Sequence, residues 1–440
     1  MAGTVRGDRV GHFKITSSQS ELTTLATRTT LPECAPMRIW ILFSSLFAIV
    51  ATANALESDD KKPRFPGVEA LPATKGLPDP FRRRDGSRVR SRAEWLEHRR
   101  YLIDMLEYYQ YGHMPPSPGN VKAEEISSRK LLNGLATEKR LFLSCGPNHA
   151  IRFRISVTFP KGKGPFPVIF KDEASLGPHC PILEKLIRKG FIFAEYVRTE
   201  LDLDEPGKVG PAQAAYPDHD WGTIAVWAWG GMRLVDYLHT LDVVDKKRIA
   251  NTGHSRGGKT ALLAGAFDER IALVVPNGSG AGGAGSYRVQ GKKAESLDAI
   301  TDPKRFSYWF HPRLRTFVGK EDRLPFDQHF VKALVAPRAL LAAEASGDLW
   351  ANPYGTQQMH LAAKEVFEFL SAESKIGLHV REGQHDQLVE DWEALFDFAQ
   401  WHFFGREPSE RRFDKLPFPK AKRVFEWKTP ARAAKKEVPR

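Results

Sequence analysis

Cysteine is scarce in this chain of 440 residues, since only Cys34, Cys145 and Cys180 occur. Their spacing matches no metal-binding pattern, which excludes a metal site built from these thiols. Cys145 and Cys180 can pair in an oxidising compartment, and the sequence leaves that pairing open.

Long apolar runs are also scarce, and the clearest one, residues 39–50, is too short to span a membrane comfortably. It follows Met37-Arg38 and precedes Ala53-Asn54-Ala55, which has the small residues of a signal cleavage site. A basic start, a short apolar core and this site together predict a secretory signal over residues 37–55. We therefore expect a secreted or periplasmic protein with no stable membrane span.

The segment ahead of that signal, residues 1–36, is polar, rich in threonine and without periodicity. Because a signal begins near the start of translation, we expect Met37 to be the true start and residues 1–36 to be a non-native or extension segment. The alternative is a genuine N-terminal extension with a membrane anchor. If the signal is cleaved, Cys34 is absent from the mature protein.

Acidic charge is in deficit, because 65 Lys and Arg face 53 Asp and Glu and give a formal net charge of +12. Much of the excess lies in residues 406–440, with 12 basic and 5 acidic side chains. This stretch is broken by proline and has no base-reading motif, so we expect a solvated or surface-binding tail and no nucleic-acid partner. A basic balance also suits a protein that works on acidic polysaccharide or cell-wall material.

Internal repeats are absent, and the composition, 42% hydrophobic and 27% charged, is typical of a globular protein. The length alone would allow two or three domains. Residues 56–80 are charged and rich in proline and glycine, which predicts a linker. One large domain over residues 81–405 is the simplest account of the remainder.

Within that domain, predicted strands alternate with predicted helices of about ten or more residues. This alternation predicts an α/β fold with a mostly parallel central sheet and helices on both faces, a three-layer sandwich. The glycine-rich stretch 278–291 is typical of a loop at the rim of the sheet, where sites form. The predicted strands are 141–144, 151–159, 168–170, 191–196, 248–252, 271–275, 339–343 and 376–380, and the predicted helices are 93–111, 180–189, 222–240, 259–267, 357–370 and 392–403.

The strongest chemical signal is Gly253-His254-Ser255-Arg256-Gly257, a Gly-x-Ser-x-Gly motif between a predicted strand and a predicted helix. This order is typical of a nucleophile elbow, whose glycines let the chain turn tightly and keep side chains away from the serine. Ser255 would then lie at a helix N-terminus, where backbone N–H groups face a developing oxyanion. We predict Ser255 as the nucleophile of an α/β-hydrolase; the alternative is a serine N-cap in a glycine-rich turn.

A serine nucleophile needs a base, and His385 lies soon after the last predicted strand. The triad order in this fold is serine, acid, histidine, which His385 satisfies. We therefore predict His385 as the base, with a surface-loop histidine as the alternative. His254 is the poorer candidate, because a direct neighbour of Ser255 is badly placed to reach its hydroxyl.

The acid of a triad orients the imidazole and stabilises its protonated form. Asp348 follows the predicted strand 339–343 and falls between the serine and the histidine, which is the usual station of the acid. We predict that Asp348 has this role; the alternative is an ordinary aspartate of a surface loop. The competing carboxylates are Glu344, Asp327 and Glu321.

The segment 253–259 resembles the Gly-x-Ser-Arg-x-Gly-Lys signature of glucuronoyl esterases, which cleave esters between glucuronic acid side chains of xylan and lignin alcohols. The resemblance covers about residues 90–405 and is closer to bacterial than to fungal members. Further stretches that agree are Tyr216-Pro217, Trp221-Gly222, 227–230, 279–283, Trp309-Phe310, 327–329, 336–338, the Asp348-x-Trp350 loop through Pro353, and His385-Asp386.

The resemblance implies roles for residues beyond the triad. Arg256 would stabilise the oxyanion through its guanidinium, and Lys259 and Trp350 would contact the uronate ring. A charged fork near a developing negative oxygen is sound transition-state chemistry. For Lys259 the alternative is a solvated helix residue.

Two features depart from the family pattern. Many members place the acid just before Ser-Gly-x-Gly-Gly, where this chain has Gly278, whereas some bacterial members carry it in the later Asp-x-Trp loop, as Asp348 would be here. Members also often have a sugar-holding glutamate in a Gly-Glu pair, while this chain has Lys292 and Lys293 inserted ahead of Glu295. Glu295 is the expected substrate-binding counterpart, with a surface glutamate as the alternative.

Together these residues predict a serine esterase that hydrolyses uronic acid esters of a glucuronoxylan-like polysaccharide through an acyl-enzyme. We expect no metal, no cofactor and a monomer. The alternatives are an acetyl xylan esterase or general carboxylesterase on the same machinery, and a polysaccharide-binding protein on an esterase-like fold. A pure binder needs no Ser/Asp/His set, which argues against the last alternative.

Overall fold

The computed structural model describes residues 65–177, 179–409 and 412–431. The predicted signal at 37–55, the segment 1–36, Cys34 and the last nine residues lie outside this range. None of the described helices is long and apolar enough to cross a bilayer.

A nine-stranded sheet forms the centre of the described chain, in the order β1-β2-β3-β5-β4-β6-β7-β8-β9. The pairs β1/β2, β2/β3 and β3/β5 are antiparallel, and all later pairs are parallel. The carboxyl ends of β6, β8 and β9 therefore meet at one edge, where loops build sites in such sheets. The strands are β1 Lys122–Leu131, β2 Ala136–Cys145, β3 Ile151–Pro160, β4 Phe166–Glu173, β5 Ile192–Val197, β6 Val244–His254, β7 Leu273–Asn277, β8 Ala339–Ala345 and β9 Ile376–Arg381.

Helices cover the sheet because its central strands are apolar on both faces. Every residue of β5, β7 and β8 is buried, which leaves neither face of these strands for solvent. The helices are α1 Arg92–Leu106, α2 Leu183–Arg188, α3 Pro211–Ala215, α4 Thr223–Leu238, α5 Arg256–Phe267, α6 Leu297–Ile300, α7 Gln328–Val335, α8 Pro353–Phe369 and α9 Val389–Phe404.

Most predicted elements are present, with ends that differ by a few residues. The predicted helix 93–111 ends in a π-helical turn, Glu107–Tyr111. The sequence analysis missed β1, because this edge strand is exposed along almost its whole length and so lacks an alternating apolar pattern. It also missed α7, a buried helix of only eight residues.

The predicted linker and tail are in part ordered and packed. Leu77 from the linker region and Phe425 from the tail region are buried in one apolar cluster beside Met359 of α8. Trp427 donates from Nε1 to the carbonyl oxygen of Leu77 at 2.8 Å. The expectation of a solvated tail therefore fails for residues 412–431, because two aromatic side chains there find apolar partners. The packed body therefore extends beyond residues 81 and 405, the predicted limits of the domain.

The two described cysteines do not form a disulfide. Cys145 ends β2 and Cys180 precedes α2, and both are buried free thiols. Burial raises the pKa of each thiol to about 12. The thiolate form needed for disulfide exchange is therefore disfavoured at both positions.

Candidate active site

A sharp turn presents Ser255 between β6 and α5. Its backbone has φ 57° and ψ −122°, a conformation that costs a non-glycine residue roughly 1–3 kcal/mol and persists only where the surroundings enforce it. A Cβ atom at Gly253 would lie 2.2 Å from the carbonyl oxygen of Gly257, so only glycine allows this close approach. The Ser255 N–H donates to the carbonyl oxygen of Asn277 at 2.9 Å and ties the turn to the end of β7.

The N-terminus of α5 starts directly after the serine. Arg256 is the first helical residue, and the first N–H groups of a helix have no intrahelical acceptor. These dipoles favour negative charge beside Ser255. The turn thus places a nucleophilic hydroxyl at a ready oxyanion site.

His385 and Asp348 form a close pair beside that turn. His385 Nδ1 lies 2.5 Å from Asp348 Oδ2, which leaves Nε2 available to take a proton. The Asp348 side chain is 3% exposed and that of His385 is 39% exposed. Such an arrangement keeps the carboxylate dry and the imidazole reachable by substrate.

Gly278 lies beside the Asp348 carboxylate. A Cβ atom built at Gly278 would lie 3.5 Å from Asp348 Oδ2, the oxygen that meets His385. A side chain at position 278 would therefore begin in van der Waals contact with the Asp348 carboxylate.

The competing carboxylates serve other contacts. Asp327 caps α7 and accepts hydrogen bonds from Ser286 Oγ and the Tyr287 N–H. Glu344 accepts from Thr356 Oγ1 at 3.0 Å, and burial raises its pKa to about 8. Glu321 accepts from the Gly319 N–H in an exposed turn.

The His254 ring packs on that of His385. Its Nδ1 lies 2.6 Å from Asn277 Oδ1, and its ring centroid lies 4.4 Å from that of His385. Burial lowers the pKa of His254, so its ring stays neutral beside His385. This contact also shows that the residue next to Ser255 reaches the His385 loop.

Arg381, which the sequence analysis missed, holds the loop that carries His385. Its buried guanidinium donates from Nε to Asp391 Oδ2 at 2.7 Å. The loop itself is joined to the Asp348 loop, because the Gly347 N–H donates to the carbonyl oxygen of Gly383 at 2.9 Å. The loop acceptors of Arg381 are the carbonyl oxygens of Glu382, Gln384 and Asp386, at 2.9, 3.2 and 2.6 Å.

Arg256 is held from two sides. Its Nη1 forms an ion pair with Asp204 Oδ2, and its guanidinium carbon lies 5.0 Å from the ring centroid of Trp309. The sequence analysis also missed Asp204. This residue follows β5 at the same edge of the sheet as the predicted site, and a carboxylate after a strand at that edge could have been recognised as a candidate.

Lys259 and Glu295 meet despite the two lysines inserted between Gly291 and Glu295. Lys259 Nζ lies 2.7 Å from Glu295 Oε2 and also donates to the carbonyl oxygens of Ser279 and Ala281, at 2.7 and 2.6 Å. Lys259 is 2% exposed and Glu295 is 3% exposed, so neither is a solvated surface residue. Burial lowers the pKa of Lys259, which the charge of Glu295 opposes. The glycine-rich loop thus folds around this pair.

Trp350 lies on the loop after β8, next to Asp348. Its carbonyl oxygen accepts from the Glu295 N–H at 2.9 Å, which joins this loop to the Lys259 pair. Trp350 is 42% exposed, which is unusual for a residue with so large an apolar side chain. A free aromatic face here can cover a sugar ring. Within the described ranges, no group of three or more His, Cys, Asp or Glu could hold a metal ion.

Known proteins resemble this chain in sequence. A family model described as fungal glucuronyl esterase matches residues 146–371. A carbohydrate esterase from an unknown prokaryotic organism is 32% identical over 393 residues, covering 75% of this chain and 90% of that protein. A 4-O-methyl-glucuronoyl methylesterase of Wolfiporia cocos is 31% identical over 378 residues, covering 81% and 89% respectively.

Solved structures agree with these relatives. A carbohydrate esterase family 15 glucuronoyl esterase from Caldicellulosiruptor kristjansonii has a TM-score of 0.69 at 28% identity, covering 82% of this chain and 99% of that one. A promiscuous esterase of the same family from a marine bacterial metagenome has a TM-score of 0.68 at 30% identity, covering 76% and 98%. The chain therefore belongs to the glucuronoyl esterases of carbohydrate esterase family 15, serine-type carboxylic ester hydrolases with the α/β-hydrolase fold.

Proposed function

We propose that this chain hydrolyses glucuronic acid esters of a plant-type or algal polysaccharide through an acyl-enzyme on Ser255. The observation that carries the proposal is the buried Lys259–Glu295 pair, one helical turn from a serine at a nucleophile elbow. Hydrolysis of a simple ester needs only the elbow, the base and the acid. A polar acyl group with hydroxyls gives a reason for the charged pair beside it.

The reaction uses the catalytic groups in order. Ser255 Oγ attacks the ester carbonyl carbon while His385 Nε2 takes the hydroxyl proton, and Asp348 stabilises the resulting imidazolium. The tetrahedral oxyanion is held by the Arg256 guanidinium and by N–H groups at the start of α5. Collapse releases the alcohol, which receives the proton from His385. A water molecule activated by His385 then cleaves the acyl-enzyme and frees the uronic acid.

Recognition of the acyl group falls to the pocket beside the elbow. Lys259 and Glu295 serve the hydroxyls of the uronate ring, and the exposed face of Trp350 covers it. The relatives named 4-O-methyl-glucuronoyl methylesterase support this assignment. A glucuronoxylan-like polymer would supply such a group, and the proposed acting form is a monomer.

The test compares benzyl glucuronate with an acetylated xyloside, for the parent and for Lys259→Ala. We expect the parent to prefer the glucuronate and Lys259→Ala to lose about ten- to a hundredfold in kcat/KM on it. A loss of this size is expected when a hydrogen bond to a charged group is removed, because such a bond contributes about 1.5–3 kcal/mol. Hydrolysis of the acetyl substrate should change little, since an acetyl group offers neither hydroxyls nor a ring. A preference for the acetyl substrate that ignores Lys259→Ala would favour the acetyl esterase alternative.

We further propose that the protein is exported, with a mature N-terminus near Leu56. The apolar run 39–50 and Ala53-Asn54-Ala55 support this. N-terminal sequencing of the native exported protein tests it, and a mature chain that still contains residues 1–36 would refute it.

A further inference from the structure

Asp204 accepts several hydrogen bonds next to Arg256, the predicted oxyanion residue. Its Oδ2 pairs with Arg256 Nη1, and its Oδ1 accepts from Tyr308 Oη at 2.8 Å and from Trp309 Nε1 at 3.1 Å. The side chain is only 18% exposed. A carboxylate with three donors in a half-buried position has a fixed orientation.

The loop that carries Asp204 is itself anchored by a second aspartate. Asp202 is fully buried, accepts from the Gly210 N–H at 2.7 Å and from Thr223 Oγ1 at 2.5 Å, and its carbonyl oxygen accepts from Trp227 Nε1. The two aspartates of this loop therefore divide two tasks. Asp202 fastens the loop to α4, and Asp204 faces Arg256.

Trp309 completes a cage around Arg256. It donates to Asp204 and at the same time lies under the guanidinium, so the ring and the carboxylate restrain the same side chain. Phe306 stacks on this indole, with centroids 4.1 Å apart and planes 18° apart. An arginine has several rotatable bonds, and this cage removes much of their freedom before substrate arrives.

Asp204 remains charged under working conditions. Burial disfavours its charged form, but the hydrogen bond from Tyr308 and the charge of Arg256 outweigh burial and hold the pKa of this carboxyl below its ordinary value. The pair with Arg256 therefore persists at neutral pH.

We infer that Asp204 is a positioning residue that fixes the Arg256 guanidinium at the oxyanion, an inference that rests on the proposed acyl-enzyme reaction. Preorganised donors stabilise a developing charge because they need no rearrangement during the reaction. An Arg256 released from Asp204 would have to be ordered in each transition state. The loss would fall on kcat, since the ground-state ester carries no full charge at this oxygen.

The experiment is a double-mutant cycle of Asp204→Asn, Arg256→Gln and the double variant on benzyl glucuronate. We expect Asp204→Asn to lower kcat by about 10- to 100-fold, the scale of a misplaced catalytic group, with KM changed less than about twofold. In the Arg256→Gln background, Asp204→Asn should have almost no further effect, because its role acts through the arginine. Additive losses, or a parental kcat for Asp204→Asn, would overturn the inference.

Two further variants separate positioning from folding. Asp245→Asn is the matched control, because Asp245 pairs with Arg248 at the opposite end of β6 with a similar side-chain exposure of 16%. It should leave kcat unchanged. Asp204→Ala should regain activity in formate, which can restore a carboxylate beside Arg256. A folded Asp204→Ala variant that formate does not rescue contradicts the inference.

Ser255→Ala distinguishes this inference from the proposed function. An active Ser255→Ala variant would refute the acyl-enzyme reaction itself. An inactive Ser255→Ala variant together with a fully active Asp204→Asn variant would refute only the role of Asp204.

Discussion

At the scale of single residues, the acid of the proposed triad is the clearest prediction. Asp348→Asn should lower kcat by up to about 10⁴-fold, because the amide cannot stabilise the imidazolium and favours the wrong tautomer of His385. Steady-state kinetics on the preferred ester measures this loss. Glu321→Gln is the control, because Glu321 accepts from the Gly319 N–H in a turn and has no part in the proposed triad, so its loss should leave kcat unchanged. Near-normal activity of Asp348→Asn would reject the assignment.

The Lys259 pair shows why a residue can be predicted while its surroundings cannot. The motif spacing indicated a lysine on the first turn of the helix after the serine. Its three acceptors come from the glycine-rich loop and from Glu295, which lies 36 residues later in the chain. A Cβ atom at Gly280 would lie 2.4 Å from Glu295 Oε2, so the glycine makes room for the glutamate. Such complementarity arises from packing and has no local sequence signal.

At the scale of elements, the loop after β9 depends on Arg381. Arg381→Lys should lower kcat by about 10- to 100-fold, because an ammonium cannot reach one carboxylate and three carbonyl oxygens at once and His385 would lose its fixed place. KM should change much less.

The control for that loop is Arg248→Lys. Arg248 also binds one carboxylate and one carbonyl oxygen, but at the start of β6, away from the edge where Ser255 lies. Its replacement should leave both kcat and KM unchanged. An Arg381→Lys enzyme with parental kinetics would show that the loop holds His385 without the arginine.

Elements with a strong periodic or apolar pattern were predictable, and those defined by tertiary contacts were not. The buried strands β5 and β8 and the elbow between β6 and α5 follow from apolar runs and motif chemistry. The edge strand β1 forms on the template of β2 and needs no apolar face of its own. Asp204 and Arg381 sit in loops whose partners are distant in the chain, so their roles emerge only when the strand ends meet.

At the scale of the whole molecule, the N-terminal and C-terminal segments of the described chain close over α7 and α8. His329 of α7 lies at this junction, with Nε2 2.9 Å from the carbonyl oxygen of Pro78 and its ring stacked on Trp427 at 5.9 Å. Glu365 of α8 binds the other side, through an ion pair with Arg423 and a hydrogen bond from the Thr429 N–H. Residues that looked like a linker and a tail thus contribute to the stability of the catalytic body.

This junction predicts how stability depends on pH. Burial lowers the pKa of His329 to about 4, whereas an unfolded histidine has a pKa of about 6.5. Between these values the unfolded chain binds a proton that the folded protein excludes, so stability falls as the pH drops from about 6.5 to 4. At 1.36 kcal/mol per pKa unit, the full loss from this residue is roughly 3 kcal/mol. His329→Gln should therefore flatten the dependence of the unfolding free energy on pH, measured by urea titration from pH 7.5 to 4.5.

Trp427→Phe is the matched control, because it removes the hydrogen bond to Leu77 and weakens the stack without removing a titratable group. It should lower stability at every pH and leave the slope as in the parent. An unchanged slope in His329→Gln, or an equal change of slope in Trp427→Phe, would show that acid acts on this fold through other groups.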